Sequence, residues 1–113
     1  MVSGLPLWQG ILIANSNTLL YTSPTGGGQT QMTAVVVNNT SSSPITVMFY
    51  LCPSGSGGPA TDTMILEITL SPGQTRRLYE MEKQWMGAGA QVYAIAGTSG
   101  VVTTFGSGYL VTS

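Results

Sequence analysis

Residues 31–51 read QMTAVVVNNTSSSPITVMFYL, and their pattern decides the fold. Residues 32–37 are rich in β-branched side chains, which fit a pleated sheet. In residues 45–51, Ile45, Val47, Phe49 and Leu51 alternate with Thr46, Met48 and Tyr50. A period of two places the first set on one face of a strand. Between the two runs lies NNTSSSP, residues 38–44. Asn, Ser and Thr hydrogen-bond their own backbone in turns, and Pro stops a ladder, so this stretch separates two strands. It is too long for a two-residue hairpin loop. A loose hairpin and a crossover between two sheets both fit.

Working outward, the same alternation recurs. Residues 18–23 (TLLYTS) form a short strand, followed by Pro24 and the glycines 26–28. A glycine-rich loop cradles phosphate when a helix N-terminus stands behind it, but here strand residues follow. Residues 53–60 (PSGSGGPA) are too rich in Gly and Pro for regular structure. Residues 64–70 alternate Met64, Leu66, Ile68, Leu70 inward with Ile65, Glu67, Thr69 outward, the signature of a strand with one wet face. After a Pro72-Gly73 turn, residues 75–83 (TRRLYEMEK) follow, and residues 82–86 read as a short helical turn ended by Gly87 to Gly89. Residues 90–97 form another strand. Residues 101–105 and 109–112 make a last hairpin or one strand kinked at Gly106 and Gly108. Upstream, residues 5–13 are apolar but contain Pro6, which suits an arm or an edge strand.

The count is about seven or eight strands with turn signals at short intervals and no helix of useful length. That predicts an all-β fold, a two-sheet antiparallel β-sandwich of jelly-roll or Ig-like type. A chain of 113 residues is one domain. We assign residues 1–16 to an N-terminal arm or edge strand and residues 17–113 to a single β-sandwich domain.

Charge is scarce. Asp, Glu, Lys and Arg make up 6% of the chain, with a formal net charge of −1, against about 25% charged residues in typical domains. So little self-repulsion favours a protein packed against neighbours. Three basic residues cannot supply the phosphate contacts of nucleic-acid binding or a polybasic membrane patch. No apolar run reaches spanning length. Residues 1–6 lack a basic start and a long apolar core, so cytoplasmic synthesis is expected. The chain has one cysteine and no histidine, which removes an intrachain disulfide and any Ser-His or Cys-His relay. Cys52 reads as a small buried hydrophobe. Zinc lacks ligands, and a calcium site would have to be built on Asp62 and loop carbonyls. No catalytic, cofactor or metal residue is assigned.

Five of the seven charges fall at Arg76, Arg77, Glu80, Glu82 and Lys83. They read either as a solvated face laced by ion pairs or as a contact to a neighbouring subunit, since mixed signs suit pairing with another surface. In the N-terminal arm, Leu7 and Trp8 either cover the end of their own core or reach a neighbour. These seven residues are the candidate subunit contacts. Trp8, Tyr79, Trp85 and Tyr109 also raise the alternatives of core or rim packing and of a sugar-stacking platform.

The order of LYTSP (residues 20–24), AVVVNNTSS (34–42), ITVMFYL (45–51), LSPGQT (70–75) and MGAGAQVYA (86–94) resembles the small β-sandwich virion proteins of tailed bacteriophages. These occur as capsid decoration, or cement, proteins and in neck or tail parts. The resemblance spans residues 18–96. It departs from the usual pattern at Ala90, where an Asp commonly follows the glycine, and the arm carrying Trp8 lies outside it. The resemblance implies a non-enzymatic structural subunit of the virion without cofactors. It implies a homo-oligomer, with a trimer favoured, bound to the major capsid protein or another virion protein. A tail, neck or fibre domain that binds glycan is the alternative.

Overall fold

The computed structural model describes residues 2–111 except Gly27 and Ser56, with only the backbone described for Val2 and Ser3. Gly27 in the expected glycine loop, Ser56 in the Gly/Pro loop and Thr112 at the end of the last expected strand therefore lie outside the described residues. Among the described residues nine strands form: β1 (Val2–Leu12), β2 (Thr18–Thr22), β3 (Gln29–Asn39), β4 (Ile45–Cys52), β5 (Met64–Leu70), β6 (Thr75–Arg77), β7 (Trp85–Met86), β8 (Gln91–Ala96) and β9 (Val102–Val111). Single 3-10 turns occur at Thr61–Thr63 and Tyr79–Met81. No helix among the described residues is long and apolar enough to cross a membrane.

The strands make two antiparallel sheets. One is ordered β1-β9-β3-β6, with β7 also pairing β3; the other is ordered β2-β8-β4-β5. The pairs β4·β5, β3·β6, β2·β8 and β1·β9 nest about the connection from β4 to β5. The chain is thus one long hairpin folded at its middle and rolled up. This is the jelly-roll arrangement, one of the two sandwich types the sequence left open.

Residues 40–44 cross between the sheets, since β3 and β4 belong to different ones. Asn39 fixes the crossover. It is fully buried, and its Nδ2 lies 2.8 Å from the Ser43 carbonyl and 3.2 Å from those of Leu70 and Ser71. Its Oδ1 accepts from the Ser41 N–H and hydroxyl. One amide therefore ties the β3–β4 crossover to the end of β5, satisfying groups that burial would otherwise leave costly.

The core lies between the sheets. Val47 and Phe49 of β4 meet Val35 and Val37 of β3, Val92 and Ala94 of β8, and Leu70 of β5. On β3 the inward phase changes from Met32 to Val35, because a register shift between Met32 and Ala34 inserts an extra residue. Of the two expectations for the last segment, a hairpin or one strand irregular at Gly106 and Gly108, the second holds: residues 102–111 form one strand, β9, and its register with both β1 and β3 shifts beside residues 106–108. Its glycines provide clearance. A side-chain carbon at Gly108 would stand 2.0 Å from the Gln31 carbonyl oxygen, and one at Gly106 would stand 2.5 Å from the Trp8 ring.

The helical turn expected at residues 82–86 sits earlier, at Tyr79–Met81, and Trp85–Met86 is strand. The reason is packing. Leu78 and Met81, three apart, are both buried, and that spacing reaches one face only through a helical turn. The chain leaves the edge of β3 at Val35, where Leu78 N–H donates at 2.7 Å, and rejoins it at Met32, which receives the Lys83 N–H. Lys83 carries a left-handed backbone (φ 69°) at the return.

Candidate functional site

An antiparallel sheet in a sandwich commonly keeps one face in the core and the other wet. On the outer face of the β2-β8-β4-β5 sheet, polar rows at Thr46–Thr69 and at Thr22–Gln91 flank a middle that is not wet in character. Leu19 pairs with Tyr93, Tyr93 with Tyr50, and Tyr50 with Met64, so one apolar row runs across all four strands. The next row holds Ile95 opposite Met48, and Met48 opposite Glu67. Leu19, Met64 and Ile65 are exposed, while Met48, Tyr93 and Ile95 are half-buried. Tyr50 is buried although it lies on this face, and its hydroxyl sits 3.5 Å from Met48 Sδ. Glu67 is the charged residue of these rows.

A signal for this face existed in the sequence. Apart from Thr46, residues 45–52 (ITVMFYLC) are apolar at both parities, and so are residues 92–95 (VYAI). Cys52 closes the same face; it is buried, with Sγ 3.8 Å from Thr63 Oγ1 under the 61–63 turn.

The charged cluster lies on the β6 side of the other sheet. Arg76 pairs with Glu80, and Arg77 with Glu82. Arg77 Nη2 reaches Glu82 Oε1 at 3.1 Å, and the guanidinium carbon stands 4.9 Å over the Tyr79 ring. The hydrogen bond and charge of Glu82 raise the Arg77 pKa above its ordinary value. The four charges thus close on one another across the 79–82 excursion. Lys83 makes no ion pair among the described residues. Exposed pairs of this kind contribute little to stability. The variant with both Arg76→Glu and Arg77→Glu is therefore expected to remain cooperatively folded, as read by its thermal melt. Loss of the cooperative transition would show that the cluster holds the fold.

Leu7 and Trp8 lie inward, in the protomer's own core. The Trp8 Nε1 donates to Thr104 Oγ1 at 3.2 Å, and Thr104 in turn donates to the Val36 carbonyl at 3.0 Å. This places Trp8 apart from the charged cluster, and the structure does not bring the seven candidate contacts together as one patch.

The outer face of the five-stranded sheet collects the exposed aromatics. Tyr109, Gln31 and Trp85 stand in one row across β9, β3 and β7. Phe105, Val36 and Arg77 form another across β9, β3 and β6. Beside the Phe105 row, a shallow groove of about 160 Å³ opens between β1, β9 and β3. No group of three or more His, Cys, Asp or Glu gathers among the described residues in a way that would hold a metal ion.

No family model matches the chain, and no curated protein matches it. Solved structures do. One is a chain of the disulfide-linked pili that form Bacillus endospore appendages: 15% identity, TM-score 0.52, covering 99% of this chain and 88% of that one. Another is a chain of the T13 IBDV viral particle: 10% identity, TM-score 0.54, covering 97% of this chain. The present chain spans only 30% of that capsid chain. At these identities the likeness is one of fold.

Proposed function

We propose that this chain is a structural subunit of a multi-copy assembly, and more specifically a capsid decoration protein of a tailed-phage virion that adds contact area where capsomers meet. The observation that carries the reading is the apolar outer face of the β2-β8-β4-β5 sheet, running unbroken from Leu19 to Met64. Apolar patches of this kind mark contact sites. On a surface with seven formal charges in all, little opposes association. The fold likeness to a pilus chain and a viral-particle chain supports the same reading.

The contacts are non-covalent. The only cysteine, Cys52, is buried, so it offers no thiol for the disulfide links of the pili. We assign the face to a second copy of the chain, in a homotrimer, with the major capsid protein or another virion protein meeting part of the remaining surface. The reading assigns no chemical step to any residue.

The test is the double variant with Leu19→Lys and Met64→Lys. Both side chains are exposed in the protomer, so the fold should persist while self-association weakens at least tenfold by sedimentation equilibrium. Rebinding to capsids stripped of decoration should weaken in parallel. A folded double variant that associates and rebinds like the wild type would remove this face from the account.

A further inference from the structure

The groove on the opposite sheet has a different character from the aliphatic contact face. We propose that it is a binding site for a neutral pyranose sugar, stacked on Phe105 and extended along β9 towards Tyr109. This inference is independent of the assembly reading, because it concerns the other face of the sandwich.

Phe105 is 50% exposed and Tyr109 45%. Each leans over a bare glycine of β1: a side-chain carbon at Gly10 would lie 3.6 Å from two Phe105 ring carbons, and one at Gly4 would lie 3.3 Å from the Tyr109 ring. Packing against that backbone restrains each ring while about half of it stays open to solvent. The rings are thus preorganised, with little side-chain freedom left to lose on binding. Four residues separate them along β9, about 13 Å at the rise of an extended strand, room for successive sugar rings.

In the groove, Ala34 and Val36 form an apolar floor, and Gln9 and Ser107 add an amide and a hydroxyl. The lining contains no charged side chain. A ligand matching this set is uncharged, has a flat C–H face and carries hydroxyls at its rim. A pyranose meets all three conditions: its C–H face stacks on the ring while its hydroxyls reach Gln9 and Ser107. At about 160 Å³ the groove is well below the roughly 300–1,000 Å³ of drug-sized pockets, so it takes one ring. Beyond it, Tyr109 and Trp85 flank Gln31 in a single row; its Nε2 donates to the Lys83 carbonyl at 3.2 Å, which leaves Oε1 as the hydrogen-bonding group beside the rings.

The experiment probes the full chain against immobilised neutral and acidic glycans, then titrates the best neutral binder in solution by NMR. Wild type is expected to bind neutral glycans. Phe105→Ala should lower the affinity at least tenfold, and Gln9→Ala, which leaves the ring in place, several-fold. The Leu19→Lys, Met64→Lys variant should bind as wild type does. Near-UV circular dichroism confirms that each variant is folded. Three results would overturn the proposal: no neutral glycan bound at millimolar concentration, binding untouched by Phe105→Ala, or a folded Phe105→Ala protein that loses only self-association. The last would make this face a protein contact.

Discussion

Trp8→Ala is expected to cost about 3–5 kcal/mol, the range for truncating a large aromatic in a packed core. For a domain near this size each kcal/mol lowers the melting temperature by roughly 4–8 °C, so most or all of the cooperative transition should be lost at 37 °C. Trp8 is only 4% exposed. Its ring fills the slot over Gly106, where a side chain would stand 2.5 Å away. Its Nε1 bond to Thr104 continues to the Val36 carbonyl, so the ring links edge strand β1 through β9 to β3. Trp8→Phe should recover part of the packing but lose the hydrogen bond and the six-membered half of the indole that fills the slot over Gly106, leaving a deficit of about 1–3 kcal/mol, between wild type and Trp8→Ala. Urea denaturation measures both. A Trp8→Ala protein with a wild-type melt but defective assembly would return Trp8 to the role of a subunit contact.

Gly108→Ala should be at least as severe as the ~1–3 kcal/mol typical of overpacked cores, because the obstruction is backbone. A methyl group there would lie 2.0 Å from the Gln31 carbonyl oxygen and 3.0 Å from both Gln31 C and Leu7 Cδ1. A carbonyl in a ladder cannot rotate away as a side chain does. β9 and β3 would have to separate where Met32 pairs with Gly108, next to the existing register shift. Gly26→Ala serves as the control, since nothing lies within 4 Å of a methyl group there. Equal melts for the two variants would contradict the packing described.

Much of the fold was legible in the alternation of residues 45–51 and 64–70, because an amphipathic strand writes its burial into its parity. Other features were not. Residues 38–44 fit a hairpin or a crossover equally well, and the choice rests on Asn39, whose amide reaches the end of β5, a partner remote in sequence. Gly106 and Gly108 read locally as a bend. Their purpose is set by Trp8 and Gln31 on other strands, which no local pattern encodes. Trp8 was ambiguous for the same reason, since the slot that buries it is made by a glycine near the far end of the chain. The clustering of charges at residues 76–83 was visible, but their mutual pairing depends on the 79–81 turn, which packing of Leu78 and Met81 creates. The apolar outer face was hidden by the assumption that alternate residues meet water. Met48, Tyr50 and Tyr93 carried the contrary signal.

In the proposed assembly the β2-β8-β4-β5 face is covered by another copy of the chain. Light scattering behind size exclusion gives the native mass of the wild-type protein directly, across protein concentration and at low and high salt. An apolar contact predicts an oligomer, a trimer in this proposal, that persists at high salt, because screening weakens charge pairs and leaves apolar burial intact. A monomer at every concentration and salt would contradict the account, and dissociation at high salt alone would move the contact to the charged cluster at Arg76 to Lys83.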